Sequence, residues 1–125
     1  MAITIRQAIC LLDSMKVNGF RQEDKIKWLS KLDGMIKKKI IDTHEGGQEI
    51  VFTPYDENTP LDTPLLVSEP HEDLYRYWLE AQIDYTNGEI GRYNNSIAMF
   101  NTEYAAFESS YNRSHLPLGH KRFLF

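Results

Sequence analysis

The chain has 125 residues, 42 % of them hydrophobic and 26 % charged, with a formal net charge of −4 and one cysteine. That length makes a single domain with room for one real core, and two independent cores are excluded. No apolar run approaches the ~18 residues of a membrane span and the N-terminus lacks a charged-then-apolar signal, so a soluble protein made in a cytoplasm is expected.

Charge is unevenly spread. Met1 to Asp42 carries nine Lys/Arg against five acids, Thr43 to Asn112 carries two against thirteen, and Arg113 to Phe125 carries three basic residues and no acid. Basic ends and an acidic middle fit a head-to-tail contact between neighbouring molecules, whereas the plainer reading is a solvated surface.

In chain order, Thr4-Ile5-Arg6-Gln7 reads as a capping box that opens a helix over about 5–17. Its apolar face is Ile5, Ala8, Ile9, Leu12 and Met15, and Asn18-Gly19 is expected to end it in a left-handed turn. Cys10, set among Ile9, Leu11 and Leu12, reads as a buried, inert thiol. A second helix over about 22–42 follows Phe20, with Ile26, Leu29, Leu32, Ile36 and Ile40 in one stripe, widened by Trp28 and Met35. Lys27, Lys31 and Lys38 lie on its far side, and Lys37, Lys38 and Lys39 suit the C-terminal end of the helix dipole.

Periodicity stops from Thr43 to Glu69, where Gly46, Gly47, Pro54, Pro60 and Pro64 punctuate an irregular loop. Ile50-Val51-Phe52 and Leu65-Leu66-Val67 are candidates for a short hairpin or for pairing with a neighbour's sheet. Asp56, Glu57 and Asp62 lack the alternating ligands and central glycine of a calcium loop.

From Leu79 onward, Leu79, Ile83, Thr86, Ile90, Tyr93, Ile97, Phe100, Tyr104, Phe107 and Tyr111 recur at steps of four and three. That is the seam of a helix pressed along its length against another element. The unbroken phase predicts one long helix over about 70–112, roughly 60 Å in length; the alternative is a helical hairpin broken at Asn87-Gly88. Pro70 suits its first turn, with Glu72 and Asp73 against the N-terminal dipole. The fold class expected is therefore all-α, with two N-terminal helices packed on one long C-terminal helix and an extended tail over 113–125. Pro117 and Gly119 forbid helix in that tail. Its Phe123-Leu124-Phe125 end, with His115, Leu116, Lys121 and Arg122, reads as a docking segment for a larger partner or a neighbouring subunit, the plainer alternative being a groove on the long helix of the same chain.

No catalytic constellation stands out. His71-Glu72-Asp73-Leu74-Tyr75 lacks the second histidine of a zinc motif, and there is no phosphate loop, nucleophile elbow or cysteine pair. Glu80, Asp84, Glu89 and Arg92 are polar candidates on the long helix, for intrahelical or intersubunit pairing or for a channel wall, with Glu89 and Arg92 an i,i+3 pair. No enzyme activity, cofactor or metal is expected.

Lys27-Trp28-Leu29-Ser30-Lys31-Leu32-Asp33-Gly34, Tyr55-Asp56 with Asp62-Thr63-Pro64-Leu65-Leu66-Val67, Tyr77-Trp78-Leu79-Glu80-Ala81-Gln82-Ile83-Asp84-Tyr85, and Arg92-Tyr93-Asn94-Asn95-Ser96 through Tyr111-Asn112-Arg113 together resemble a family of small proteins. That family is encoded among the head and head-to-tail genes of tailed phages and prophages of Gram-positive bacteria. The resemblance spans Gln22 to His115 and implies a virion structural protein, a head-to-tail connector (adaptor or head completion protein). Such subunits form a ring, commonly of twelve copies, beneath the portal protein and above a tail or stopper protein. The ring continues the DNA channel without sequence-specific contact, at the head-tail interface of the virion after assembly in the host cytoplasm, and no membrane is involved. An acidic middle segment would suit a channel wall that lets DNA slide. The Lys121 to Phe125 ending is not part of the resemblance. Competing readings are a capsid-associated protein and a regulatory nucleic-acid-binding module using the lysine face. A pI near 5.5 and the interruption of that face by Asp24 and Asp42 weigh against the latter.

Overall fold

The computed structural model describes residues 2–68 and 70–116. In chain order they form β1 (Ala2–Thr4), α1 (Ile5–Met15), α2 (Gln22–Lys39), β2 (Pro64–Ser68), α3 (Asp73–Thr86) and α4 (Ile90–Ser114). Single 3₁₀ turns at Ile41–Thr43 and Gly47–Glu49 follow α2. The helical packing is that of an all-α fold with one small sheet, and α3 is its centre, packed against α1, α2 and α4.

The α1 start is the capping box expected: the Gln7 amide donates to the Thr4 hydroxyl at 3.2 Å and the Thr4 amide to the Gln7 side-chain oxygen at 2.9 Å. Ile5, Ala8, Ile9 and Leu12 are buried. Met15 is instead exposed, because the helix ends there and Lys16 is already extended. Cys10 is also exposed, lying off the 5-8-9-12 stripe. Nor does Gly19 form a left-handed turn; among the described residues positive φ occurs at Gly46 and Gly88. The Asn18 side chain makes the turn, donating to Asp13 and to the Lys16 carbonyl while accepting from the Phe20 amide.

The single long helix is corrected to a hairpin. α3 ends at Thr86 and α4 begins at Ile90. Gly88 (φ +74°) takes the left-handed conformation. Its amide bonds the Tyr85 carbonyl, and the Glu89 amide bonds the Asp84 carbonyl at 2.9 Å, the double closure of a Schellman stop. Partners then step symmetrically away from the turn: Tyr85 with Tyr93, Asp84 with Ser96, Trp78 with Phe100, His71 with Phe107. Pro70 precedes the helix instead of opening it, since α3 starts at Asp73.

The loop is also organised differently. Leu65-Leu66-Val67 does not pair with Ile50-Val51-Phe52, which forms no strand; β2 pairs antiparallel with β1 at the N-terminus, with Ala2 opposite Ser68. The pairing is extended by the Ile5 amide on the Thr63 carbonyl and the Arg6 amide on the Leu61 carbonyl. Burial explains the choice: Leu65 and Val67 are buried in the core, where β2 packs on α2, while Val51 is 84 % exposed. Asp56 caps a turn by accepting from the Asn58 amide and the Thr59 hydroxyl, and Asp62 pairs with Arg6. At Gly47 the chain passes so close to the Ile41 carbonyl that a Cβ would lie 1.7 Å from its oxygen, so any side chain there would force the two turns apart.

Candidate interaction surface

The seam residues of α4 divide by depth. Phe100 and Phe107 are buried, at 5 % and 8 % exposure, while Ile97, Tyr104 and Tyr111 pack against the core from its edge. Tyr93 is half-buried against Tyr85, and Ile90, at the hairpin turn, is 58 % exposed. Trp78 ties the seam to the N-terminal helices, because its indole N–H donates to the Trp28 carbonyl at 2.9 Å while its ring meets Phe100 at 5.1 Å.

The polar candidates do not converge on one site. Asp84 is buried, forms an ion pair with Lys16 Nζ at 2.8 Å and accepts from the Ser96 hydroxyl at 3.0 Å, and so ties the end of α1 to both arms of the hairpin. Glu80 pairs with Arg76 within α3, and Glu89 with Arg92 across the start of α4, the i,i+3 pair expected. Among the described residues no three His, Cys, Asp or Glu side chains are grouped to hold a metal, and no helix is long and apolar enough to cross a membrane.

What the hairpin leaves uncovered is the outer face of α4. Its 25 residues bury only Phe100 and Phe107. Asn94, Asn95, Ala98, Met99, Thr102, Ala105, Ala106 and Ser109 are all exposed. From Ile90 to Ser114 only Arg92, Glu103, Glu108 and Arg113 carry charge. Over about 37 Å of helix this makes a narrow, nearly uncharged face of small side chains, against which another backbone can lie closely. At its N-terminal end, next to the Lys16–Asp84 clamp, Met15, Val17, Tyr85 and Ile90 are exposed together, Val17 at 99 %. Scattered single apolar residues need no explanation, but several at one end of a bundle make a candidate contact surface.

The opposite end of α4 leads into the tail. Tyr111 stacks on His115 at 4.0 Å and meets the buried His44 ring edge-on at 4.9 Å. The His44 ring nitrogens lie against the Ile40 carbonyl and the Asn112 side-chain oxygen. The Glu45 amide donates to the Leu116 carbonyl at 2.8 Å, so His115 and Leu116 are held to the 3₁₀ turns. Lys121, Arg122, Phe123, Leu124 and Phe125 lie outside the described residues.

Sequence reasoning passed over the polar knot that holds this scaffold together. Asp33 is fully buried, accepting from the Tyr55 hydroxyl and the Tyr75 hydroxyl, each at 2.7 Å, and from the Leu66 amide at 3.1 Å. Tyr75 in turn accepts from the Val67 amide at 2.8 Å. One carboxylate thus joins α2, the loop, β2 and α3. The missed signal was spacing: Ile26, Leu29, Asp33, Ile36 and Ile40 recur at steps of three and four, which places an acid in the buried stripe. Burial raises the Asp33 carboxyl above the usual range, only partly offset by the three donors. A raised folded-state value means that the group's contribution to stability is complete below its unfolded pKa and is lost as pH rises through the folded one. Asp13 works the other way, being held low by Lys25 and Asn18 against the opposing pull of burial. The stability of the wild type minus that of Asp33→Asn is therefore expected to fall as pH rises from about 3 to 7. Urea melts at several pH values measure it; a flat or rising difference would show that Asp33 is not buried in this way.

Compared with known proteins, the chain matches no family model, no curated protein and no solved structure.

Proposed function

We propose that the chain is a virion structural protein, the subunit of a head-to-tail connector ring that sits beneath a phage portal and continues the DNA channel. The observation that carries the reading is the outer face of α4, a long, small-residue, almost uncharged surface without a partner among the described residues. A monomer gains nothing from such a face, whereas subunits arranged around an axis bury it against the next copy. Three further features support the same reading. The exposed Met15, Val17, Tyr85 and Ile90 supply an apolar anchor at one end of that face. The division of charge into basic termini and an acidic middle suits contacts between unlike faces of identical subunits, which close into rings. The motifs from Lys27 to Gly34, from Tyr77 to Tyr85 and from Arg92 to Ser96 resemble those of a family encoded among phage head and head-to-tail genes. In this arrangement the portal protein and a tail or stopper protein are the partners above and below, and DNA passes without sequence-specific contact.

The test is a charge placed on the proposed contact. Ala98→Arg with Ala105→Arg alters two exposed positions and is expected to leave helicity and melting temperature near wild type. Native mass spectrometry should then give a monomer where the wild type, at high concentration or with its portal, gives a ring. A double variant that assembles as the wild type does would remove α4 from the subunit interface.

A further inference from the structure

Two apolar grooves flank Leu66. The first, about 250 Å³, is lined by Ile41, Ile50, Leu66, Phe107, Tyr111 and His115; the second, about 450 Å³, by Val51, Phe52, Pro54, Pro60 and Leu66. Because Leu66 lines both, and Ile50 of one precedes Val51 of the other, they are neighbouring parts of a single surface. The second is lined mainly by the stretch from Glu45 to Asp62, which contains five acids and no Lys or Arg, and the first takes Ile50 from it. In the first groove the Tyr111 hydroxyl is closed off from solvent and has no hydrogen-bond partner among the described residues.

We propose that the two grooves form one docking track and that its occupant is the chain's own C-terminal segment, residues 117–125. Position supports this directly. His115 is part of the lining of the first groove, and the Glu45 amide holds the Leu116 carbonyl beside it, so the segment starts at the mouth of the track. Length also fits, since nine extended residues span about 30 Å, enough to pass Leu66 and reach the second groove. Chemistry supplies the rest: Leu118, Phe123, Leu124 and Phe125 match the apolar lining, while Lys121 and Arg122 suit the exposed acids Glu49 and Asp56, which adjoin the lining residues Ile50 and Tyr55 in sequence. A covalently attached segment has an effective concentration in the millimolar range, so its own groove is filled before a neighbour's. The proposal concerns the isolated subunit and stands or falls apart from the ring reading.

Trypsin supplies the test, because Lys121 and Arg122 lie within the proposed docked segment. Cleavage there in the full chain is expected to be about tenfold or more slower than in a synthetic peptide of residues 113–125. Ile50→Ser with Val51→Ser, on the groove side, and Leu124→Ser with Phe125→Ser, on the tail side, should each restore most of the peptide's rate while circular dichroism stays unchanged. In a Cys10→Ser background, Val51→Cys with Phe123→Cys should oxidise to a cross-link at monomer mass. Cleavage at the peptide's rate, slow cleavage indifferent to both pairs of substitutions, or a cross-link found only between chains would overturn the assignment. The last of these results would give the track to a neighbouring copy.

Discussion

Asp33→Ala is expected to destabilise the protein by about 3–5 kcal/mol, since it strands two tyrosine hydroxyls and the Leu66 amide in a region closed to water. Against the 5–15 kcal/mol typical of whole domains, such a loss leaves a marginal fold. The size of the effect comes from the groups left behind more than from the carboxylate itself, which has no cationic partner among its hydrogen bonds. Tyr55→Phe and Tyr75→Phe each remove a single donor and should cost about 1 kcal/mol, with Tyr75 the larger because its oxygen also receives the Val67 amide. Because all three residues share one network, the double variant of both tyrosines should depart from additivity. Denaturant unfolding of the four variants decides the matter. A loss under about 1 kcal/mol for Asp33→Ala would mean that water reaches the site, or that the loop and β2 are not fastened to α2 through this carboxylate.

Phe100→Ala is the second large effect, at about 3–5 kcal/mol, as for other buried phenylalanines cut back to alanine. Phe100 sits between Trp78 of α3 and Tyr104 of its own helix, with ring centroids at 5.1 and 5.5 Å. Its removal opens the hairpin where Trp78 also reaches Trp28 of α2. Tryptophan fluorescence should therefore change together with stability. Ala105→Ser on the opposite face of α4 should change neither, and that contrast identifies which side of the helix is the core. A cost below about 1 kcal/mol at Phe100 would contradict the seam.

The seam itself was legible from Leu79 to Tyr111, yet the hairpin within it was not. Three turn residues, Asn87, Gly88 and Glu89, separate Thr86 from Ile90, a step of four that happens to preserve the phase of a continuous helix. Periodicity therefore could not choose between one long helix and two antiparallel ones packed on each other. The glycine's positive φ decided it, and the residues needed for that stop were in view as Asn87-Gly88. For β2 the apolar run was visible but its partner was not, because the pairing joins residues sixty or more positions apart and two-residue alternation says nothing about which edge is met. Met15 and Cys10 were misplaced for local reasons: Cys10 neighbours the buried stripe of α1 in sequence but lies off it, and Met15 continues the stripe only at the point where the helix ends. Of the surface, the exposure of Lys27, Lys31 and Lys38 on α2 and the pairing of Glu89 with Arg92 could be anticipated. The uncovered outer face of α4 could not, since a seam counts what faces inward and leaves the remaining helix surface unassigned.

The most direct measurement of the proposed role is a cryo-electron reconstruction of the portal vertex in particles that carry this protein. A ring of copies of the four-helix subunit between head and tail, with α4 of each copy against its neighbour and the channel at the centre, is the result expected. Particles that join heads to tails without this chain at the vertex, or that carry it only on the capsid shell, would contradict the connector assignment.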